Sequence, residues 1–142
     1  MLVREVMSPE PVTVAADATL REAVERMLRE RVGSVLLTRD GDPAGILTET
    51  DALRGAYRAE RSLAAVPAAA AATEGLVTVP PTATTRRAVE LMRDDGVKKL
   101  VVTEGLDAVG VVTTTDLAHN QPALLREAHE IESGRGDWEP GE

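Results

Sequence analysis

The chain has no cysteine and no phenylalanine, with one tyrosine, Tyr57, and one tryptophan, Trp138. Without cysteine there are no disulfides, no thiolate metal ligands and no cysteine nucleophile. With almost no aromatic rings, the stacking platforms that hold single-stranded nucleic acid are missing. A core must then be built from Val, Leu, Ile, Ala and Met. Lysine is nearly absent as well: of 16 basic residues only Lys98 and Lys99 are lysines, and they are adjacent. The 24 acidic residues leave a net charge of −8, which argues against a nucleic-acid partner. Acidic, alanine-rich, lysine-poor composition suits a high-salt cytoplasm, and a GC-rich genome favours the same bias. No run of 18 apolar residues exists, and the blandest stretch, "AAVPAAAAA" (64–72), is too short and too weakly apolar to span a bilayer. No basic-then-apolar leader heads the sequence. The expectation is a cytoplasmic protein with no membrane partner.

Catalytic signatures are missing too. There is no Ser-His-Asp order, no Walker A loop and no G-x-G-x-x-G. His119 and His129 stand ten apart with no cysteine and no paired carboxylates, and read as solvated rather than as metal ligands or bases. Arg86 and Arg87 read as the solvated face of a helix. No nucleophile–base pair emerges, so the expectation is a non-enzyme with no catalytic residues, no metal and no required cofactor.

What the sequence does contain is a repeat. "GILTETD" (45–51) returns 65 residues later as "GVVTTTD" (110–116). Laying residues 12–53 on 77–118 without a gap gives 17 identities in 42 positions. "VTVAADATLREAVERM" falls on "VTVPPTATTRRAVELM", and most remaining pairs exchange like for like, as Ile46 with Val111. Each copy reads β-α-β-β-α. A short strand (12–14 or 77–79) leads to an N-cap at Thr19 or Thr84, with Thr19 and Glu22 spaced as a capping box. Leu20, Ala23, Val24, Met27 and Leu28 then form one apolar stripe, matched by Ala88, Val89 and Met92. Strands "SVLLT" and "KLVVT" follow. The turns "RDGDPAG" and "EGLDAVG" lead to a second strand that runs directly into another helix. A copy of this length cannot bury both its helix stripe and its sheet face alone, so two copies packed about a pseudo-twofold axis are expected. The predicted division is repeat 1 over 1–61, an Ala-rich linker over 62–75, repeat 2 over 76–121, and a short helix with a polar tail over 122–142.

Tandem β-α-β-β-α units, the lead-in "VREVMSPEPVTV", the helix "DATLREAVERM" and the closings "GILTETD" and "GVVTTTD" together resemble the cystathionine β-synthase (CBS) domain family. The resemblance covers roughly residues 2–120. It implies an α/β (α+β) fold in which two CBS repeats form one pair, or Bateman module. Such modules regulate by binding adenosine-containing ligands in clefts between the repeats, and they commonly form homodimers. The second copy departs from the pattern, since Ala-rich sequence precedes it in place of an "MSPEP"-like segment, which helps wall the cleft in the family.

The residues suit such a ligand. A threonine and an aspartate at a strand-to-helix junction face the unpaired N–H groups that favour phosphate. The hydroxyl donates to a phosphate oxygen, and the aspartate accepts both hydrogens of a ribose diol. The glycine admits close backbone approach, and the aliphatic residue after it offers a face to a base. The same Thr-x-x-Asp is equally a helix-capping pair. Carried over by resemblance, one cleft uses Ile46, Thr48 and Asp51 with Val77, Val97, Lys98 and Lys99. The other uses Val111, Thr113 and Asp116 with Val12, Val32, Gly33 and Ser34. The lysine pair suits a di- or triphosphate. Gly33 and Ser34 suit an uncharged or singly phosphorylated compound. The expected ligands are AMP, ADP, ATP or S-adenosylmethionine, sensed by population shift toward one relative orientation of the repeats and read out by an effector protein. Two alternatives stand beside this one: a ligand-free dimerisation or adaptor scaffold, and a small nucleotide hydrolase using Asp51 or Asp116 as base.

Overall fold

The structure is a computed structural model that describes residues 1–72 and 76–120. The expected tail over 122–142, with His129 and Trp138, lies outside the described residues, as do 73–75 of the Ala-rich segment. In chain order the elements are α1 (Val3–Val6), β1 (Ser8–Pro9), β2 (Thr13–Ala15), α2 (Leu20–Glu30), β3 (Ser34–Arg39), β4 (Asp42–Thr48) and α3 (Glu49–Ala59). A 3-10 turn (Leu63–Ala65) and α4 (Ala68–Ala71) follow, then β5 (Thr78–Val79), α5 (Thr85–Asp95), β6 (Lys99–Glu104), β7 (Asp107–Thr113) and α6 (Thr114–Asn120). The expected β-α-β-β-α order occurs twice.

These elements divide into two compact units, and the division does not follow chain order. Pro11–Leu76 makes one, the first-copy unit; Met1–Glu10 joins the described residues from Val77 onward to make the other, the second-copy unit. In the first-copy unit β2 runs parallel to β3, and β3 pairs antiparallel with β4. The β3–β4 turn is Asp40–Gly41 with φ +54° and +85°, the doubly left-handed pair that a two-residue hairpin requires. α2 is capped at Thr19: its hydroxyl accepts the Glu22 N–H at 3.1 Å, while the Glu22 carboxylate accepts the Thr19 N–H at 3.3 Å. The stripe then buries Leu20, Ala23 and Met27 against Val14, Val35, Leu37 and Leu47. Leu28 corrects the expected stripe, being 74% exposed. Position i+8 lies at the stripe's edge, and a helix over a three-stranded sheet covers only the narrower band.

The second-copy unit repeats this scheme with one strand more. β5 is parallel to β6, β6 is antiparallel to β7, and β1 adds to the far edge of β7 with Ser8 opposite Val111 and Pro9 opposite Gly110. Its core is Val3, Val6, Val79, Ala88, Val89, Met92, Leu100, Val102, Val112 and Leu117. Both units carry a β-bulge at the same repeat position, between Leu37 and Thr38 and between Val102 and Thr103.

The described part of the Ala-rich segment, 62–72, does more than link the copies. The Ala68 N–H donates to the Ala18 carbonyl at 2.9 Å, and the Leu20 N–H to the Val66 carbonyl at 2.7 Å. Gly55 of α3 lets α4 approach, since a Cβ there would lie 2.6 Å from that of Ala71. In the second-copy unit the same two backbone bonds are made by residues at the chain's start: Val3 N–H to Ala83 carbonyl at 2.8 Å, and Thr85 N–H to Met1 carbonyl at 2.9 Å. Thus α4 stands to the first copy as α1 stands to the second, and the "VREVMSPE" lead-in (3–10) belongs to the second-copy unit rather than to the copy that follows it directly.

Candidate functional site

The fourteen residues singled out in the sequence fall at seven repeat positions, once in each unit. The first-copy unit holds Val12, Val32, Gly33, Ser34, Ile46, Thr48 and Asp51; the second-copy unit holds Val77, Val97, Lys98, Lys99, Val111, Thr113 and Asp116. Ile46 and Val111 sit on the sheet face opposite their unit's core: Ile46 opposes Leu36 across β3–β4, and Val111 opposes Val101 across β6–β7. Period-two pleating puts them there.

The strand-to-helix junctions are built alike. Thr48 ends β4 as the N-cap of α3; its hydroxyl accepts the Asp51 N–H at 3.1 Å, and Asp51 Oδ2 accepts the Thr48 N–H at 3.1 Å. Thr113 and Asp116 do the same at α6, with distances of 3.1 Å and 2.9 Å. Both Thr-x-x-Asp pairs are therefore capping boxes, which satisfy orphan N–H groups whether or not anything binds. A hydroxyl that accepts still has a hydrogen to donate, and each carboxylate has a second oxygen. Asp51 is only 6% exposed and lies 3.9 Å from the Arg54 guanidinium.

Beside each junction the preceding loop is tied in by one backbone bond: the Glu49 N–H to the Gly33 carbonyl at 3.0 Å, and the Thr114 N–H to the Lys98 carbonyl at 3.1 Å. These bonds bring Gly33 and Ser34 to Thr48, and Lys98 and Lys99 to Thr113, within their own units. In the second-copy unit Lys98, Lys99, Thr113, Thr114 and Thr115 line a hollow of about 260 Å³. A second hollow, of about 270 Å³, lies in the first-copy unit between α3 and α4 and is lined by Asp51, Arg54, Arg58, Val66 and Ala71 among others. Arg54 and Arg58 escaped notice in the sequence. The signal was there, since they follow Asp51 at i+3 and i+7 on one helix face.

The glycines of the two closings prove unequal. A Cβ on Gly110 would fall 2.6 Å from Met7 Sδ and 2.9 Å from the Ser8 carbonyl oxygen, so this glycine admits the lead-in strand β1 rather than a ligand. At Gly45 the nearest neighbour among the described residues, Ala72 Cβ, is 3.9 Å away. Among the described residues no group of three His, Cys, Asp or Glu is placed to hold a metal, and no helix is long and apolar enough to cross a membrane.

This arrangement, a doubled β-α-β-β-α unit with a capped Thr-x-x-Asp at each strand–helix junction, is that of a tandem CBS-domain pair. The CBS domain model matches the chain twice, at residues 3–57 and 68–122, and the chain belongs to the CBS-domain family. It is 29% identical over 120 residues to the CBS domain-containing protein YhcV of Bacillus subtilis, with 84% of each chain covered. It is 31% identical over 106 residues to the mitochondrial CBS domain-containing protein CBSX3 of Arabidopsis thaliana, covering 71% of this chain and 52% of that protein, so it spans about half its length. Among solved structures it is similar to the CBS domain protein PAE2072 of Pyrobaculum aerophilum complexed with AMP, with a TM-score of 0.76, 29% identity, and coverage of 91% of this chain and 99% of that one.

Proposed function

We propose that the protein is a non-catalytic regulatory module that senses an adenosine-containing ligand. The observation that carries this reading is the doubled Thr-x-x-Asp junction on a chain whose relative of 29% identity, matched over nearly its whole length, is solved with AMP. Thr48 and Thr113 supply hydroxyl donors for a phosphate oxygen. Asp51 and Asp116 supply a carboxylate oxygen beyond the one used in capping, for the ribose hydroxyls. Ile46, Val111, Val12, Val77, Val32 and Val97 supply the aliphatic surface against which a base packs. Ligand binding favours whichever conformation binds it better and so changes what the protein, as a homodimer in the cytoplasm, shows to an effector. The response is bounded by the difference in affinity between those conformations.

A second reading, a scaffold without ligand, draws on the same capping boxes, which are complete on their own. Thermal unfolding against AMP, ADP, ATP and S-adenosylmethionine separates the two. A ligand at 100 times its Kd adds about 2.7 kcal/mol, several degrees for a domain of this size. A shift with one of the four, lost in Asp51→Ala or Asp116→Ala, establishes the sensor. No shift with any of them leaves the scaffold.

A further inference from the structure

The β3–β4 hairpin of the first-copy unit turns on Asp40–Gly41, and its repeat equivalent between β6 and β7 turns on Gly105–Leu106. Only the first places an aspartate directly before a glycine. Such a pair is chemically exposed, because glycine has no Cβ to shield its nitrogen from closing on the aspartate Cγ as a five-membered ring. The chain has two of them, Asp40–Gly41 and Asp95–Gly96, and its one asparagine, Asn120, precedes glutamine. The fold treats the two pairs differently. Asp95 ends α5, and the Gly96 N–H donates to the Met92 carbonyl as the helix cap. Asp40 and Gly41 are both exposed. Among the described residues the Gly41 N–H makes no hydrogen bond and no cation pairs with the Asp40 carboxylate. A Cβ on Gly41 would have none of them within 4 Å.

We propose that Asp40 is a site of spontaneous isomerisation to isoaspartate, a covalent change that falls on the first-copy hairpin alone. The Gly41 nitrogen bonds to Cγ of the protonated Asp40 carboxyl, its proton passes to solvent, and the carboxyl hydroxyl leaves as water. Water then adds to either carbonyl of the succinimide ring. Opening at Cγ restores aspartate, and opening at the main-chain carbonyl leaves the peptide running through Cγ. The product holds the same atoms as the starting chain, so no oxidant or other co-reactant is needed. At Gly96 the nitrogen must first give up its bond to Met92, so the folded helix end resists the same attack. The isoaspartyl link adds one methylene carbon to the main chain of a two-residue loop whose φ values, +54° and +85°, already match the twist of the strands. The lengthened turn no longer fits the pairing of Arg39 with Asp42 that closes the hairpin. β4 runs from there to Thr48, so the modification loosens the strand that carries the first Thr-x-x-Asp junction and spares the second.

Purified protein held at physiological temperature in mildly acidic buffer, beside a portion unfolded in guanidinium, tests this by peptide mapping that separates aspartyl from isoaspartyl forms. In the unfolded chain both Asp-Gly pairs are expected to convert at similar rates. In the folded protein Asp40 is expected to convert at least severalfold faster than Asp95, through an intermediate lighter by one water. Asp40→Glu, which requires a six-membered ring, is expected to lose the conversion at this position, and the fold already seats Glu10 and Glu60 in the left-handed region. Asp40→Asn, which expels ammonia in place of water, is expected to reach the same product faster. The converted fraction of wild type is expected to melt below the unconverted one. Conversion of Asp95 as fast as Asp40 in the folded protein, or an Asp40 that stays unconverted while the unfolded chain reacts, overturns the site. A converted fraction that melts with the unconverted one overturns its effect on the hairpin.

Discussion

Two copies of one sequence pattern, 17 identities in 42 positions, build two units that share the bonds of their strand-to-helix junctions and lead-in helices while their closings do different things. "GVVTTTD" lies under a strand, since β1 pairs with β7 and Met7 fills the space that Gly110 leaves. In "GILTETD" Gly45 has, among the described residues, only Ala72 near by, and the helix that follows carries Arg54 against a nearly buried Asp51. The repeat therefore conserves the junction, a strand end capped by Thr and Asp, and varies what surrounds it: a lead-in strand and two lysines in one unit, two arginines and, over Gly33, the Glu49 carboxylate in the other. What recurs is the part the fold needs; what differs is where selectivity can reside.

Paired substitutions at equivalent positions probe this contrast. The widest gap is expected at the glycines. Gly110→Ala drives a methyl into Met7 and the Ser8 carbonyl and should cost about 2–3 kcal/mol, as overpacking does. Gly45→Ala meets nothing closer than 3.9 Å among the described residues and should change stability by less than about 1 kcal/mol. Urea midpoints of the two variants measure the gap directly, and equal losses would mean that β1 does not seat on Gly110. The aspartates come next. Each removal forfeits a capping bond, about 1 kcal/mol. Asp51→Ala should cost about twice as much as Asp116→Ala, because Arg54 then loses a carboxylate in a nearly buried setting. Far-ultraviolet melting curves of the two variants compare them. The smallest effect is at the helix ends, where Arg31 (φ +57°) and Gly96 (φ +66°) both cap in the left-handed region. Arg31→Gly should stabilise by about 1 kcal/mol and Gly96→Arg should destabilise by a similar amount. If both variants melt like wild type, glycine holds no advantage over arginine at this cap.

Much of this was legible in the sequence because it is local or periodic. The offset of 65 fixes the repeat, and the spacing of Leu20, Ala23 and Met27 fixes the buried face of α2. Thr48 with Asp51 and Thr113 with Asp116 announce caps at three-residue spacing, which is what the structure shows. The misreadings are tertiary. Leu28 fits the helical period and is nevertheless exposed, because the width of the sheet, not the period, decides how much of a stripe is covered. The Ala-rich segment offers no pattern at all, yet its backbone makes the bonds that hold α4 to the first copy. Nothing in "VREVMSPEP" says that it packs beside Gly110, since no local signal spans a hundred residues. Nor does a glutamate at 49 reveal that its carboxylate lies over Gly33.

The exchange of lead-ins has a temporal side. During synthesis Val3 and Val6 emerge while their partners Ala83, Val89, Val112 and Leu117 are still unmade. The first-copy unit spans only Pro11–Leu76, and can fold while the rest is being translated. The opening ten residues, by contrast, must be held in reserve until the chain has passed residue 113, where the last strand of their sheet ends. Docking them closes a loop of more than sixty residues, a slow, non-local step at the end of assembly. A segment made before the first copy is thus the one that completes the second.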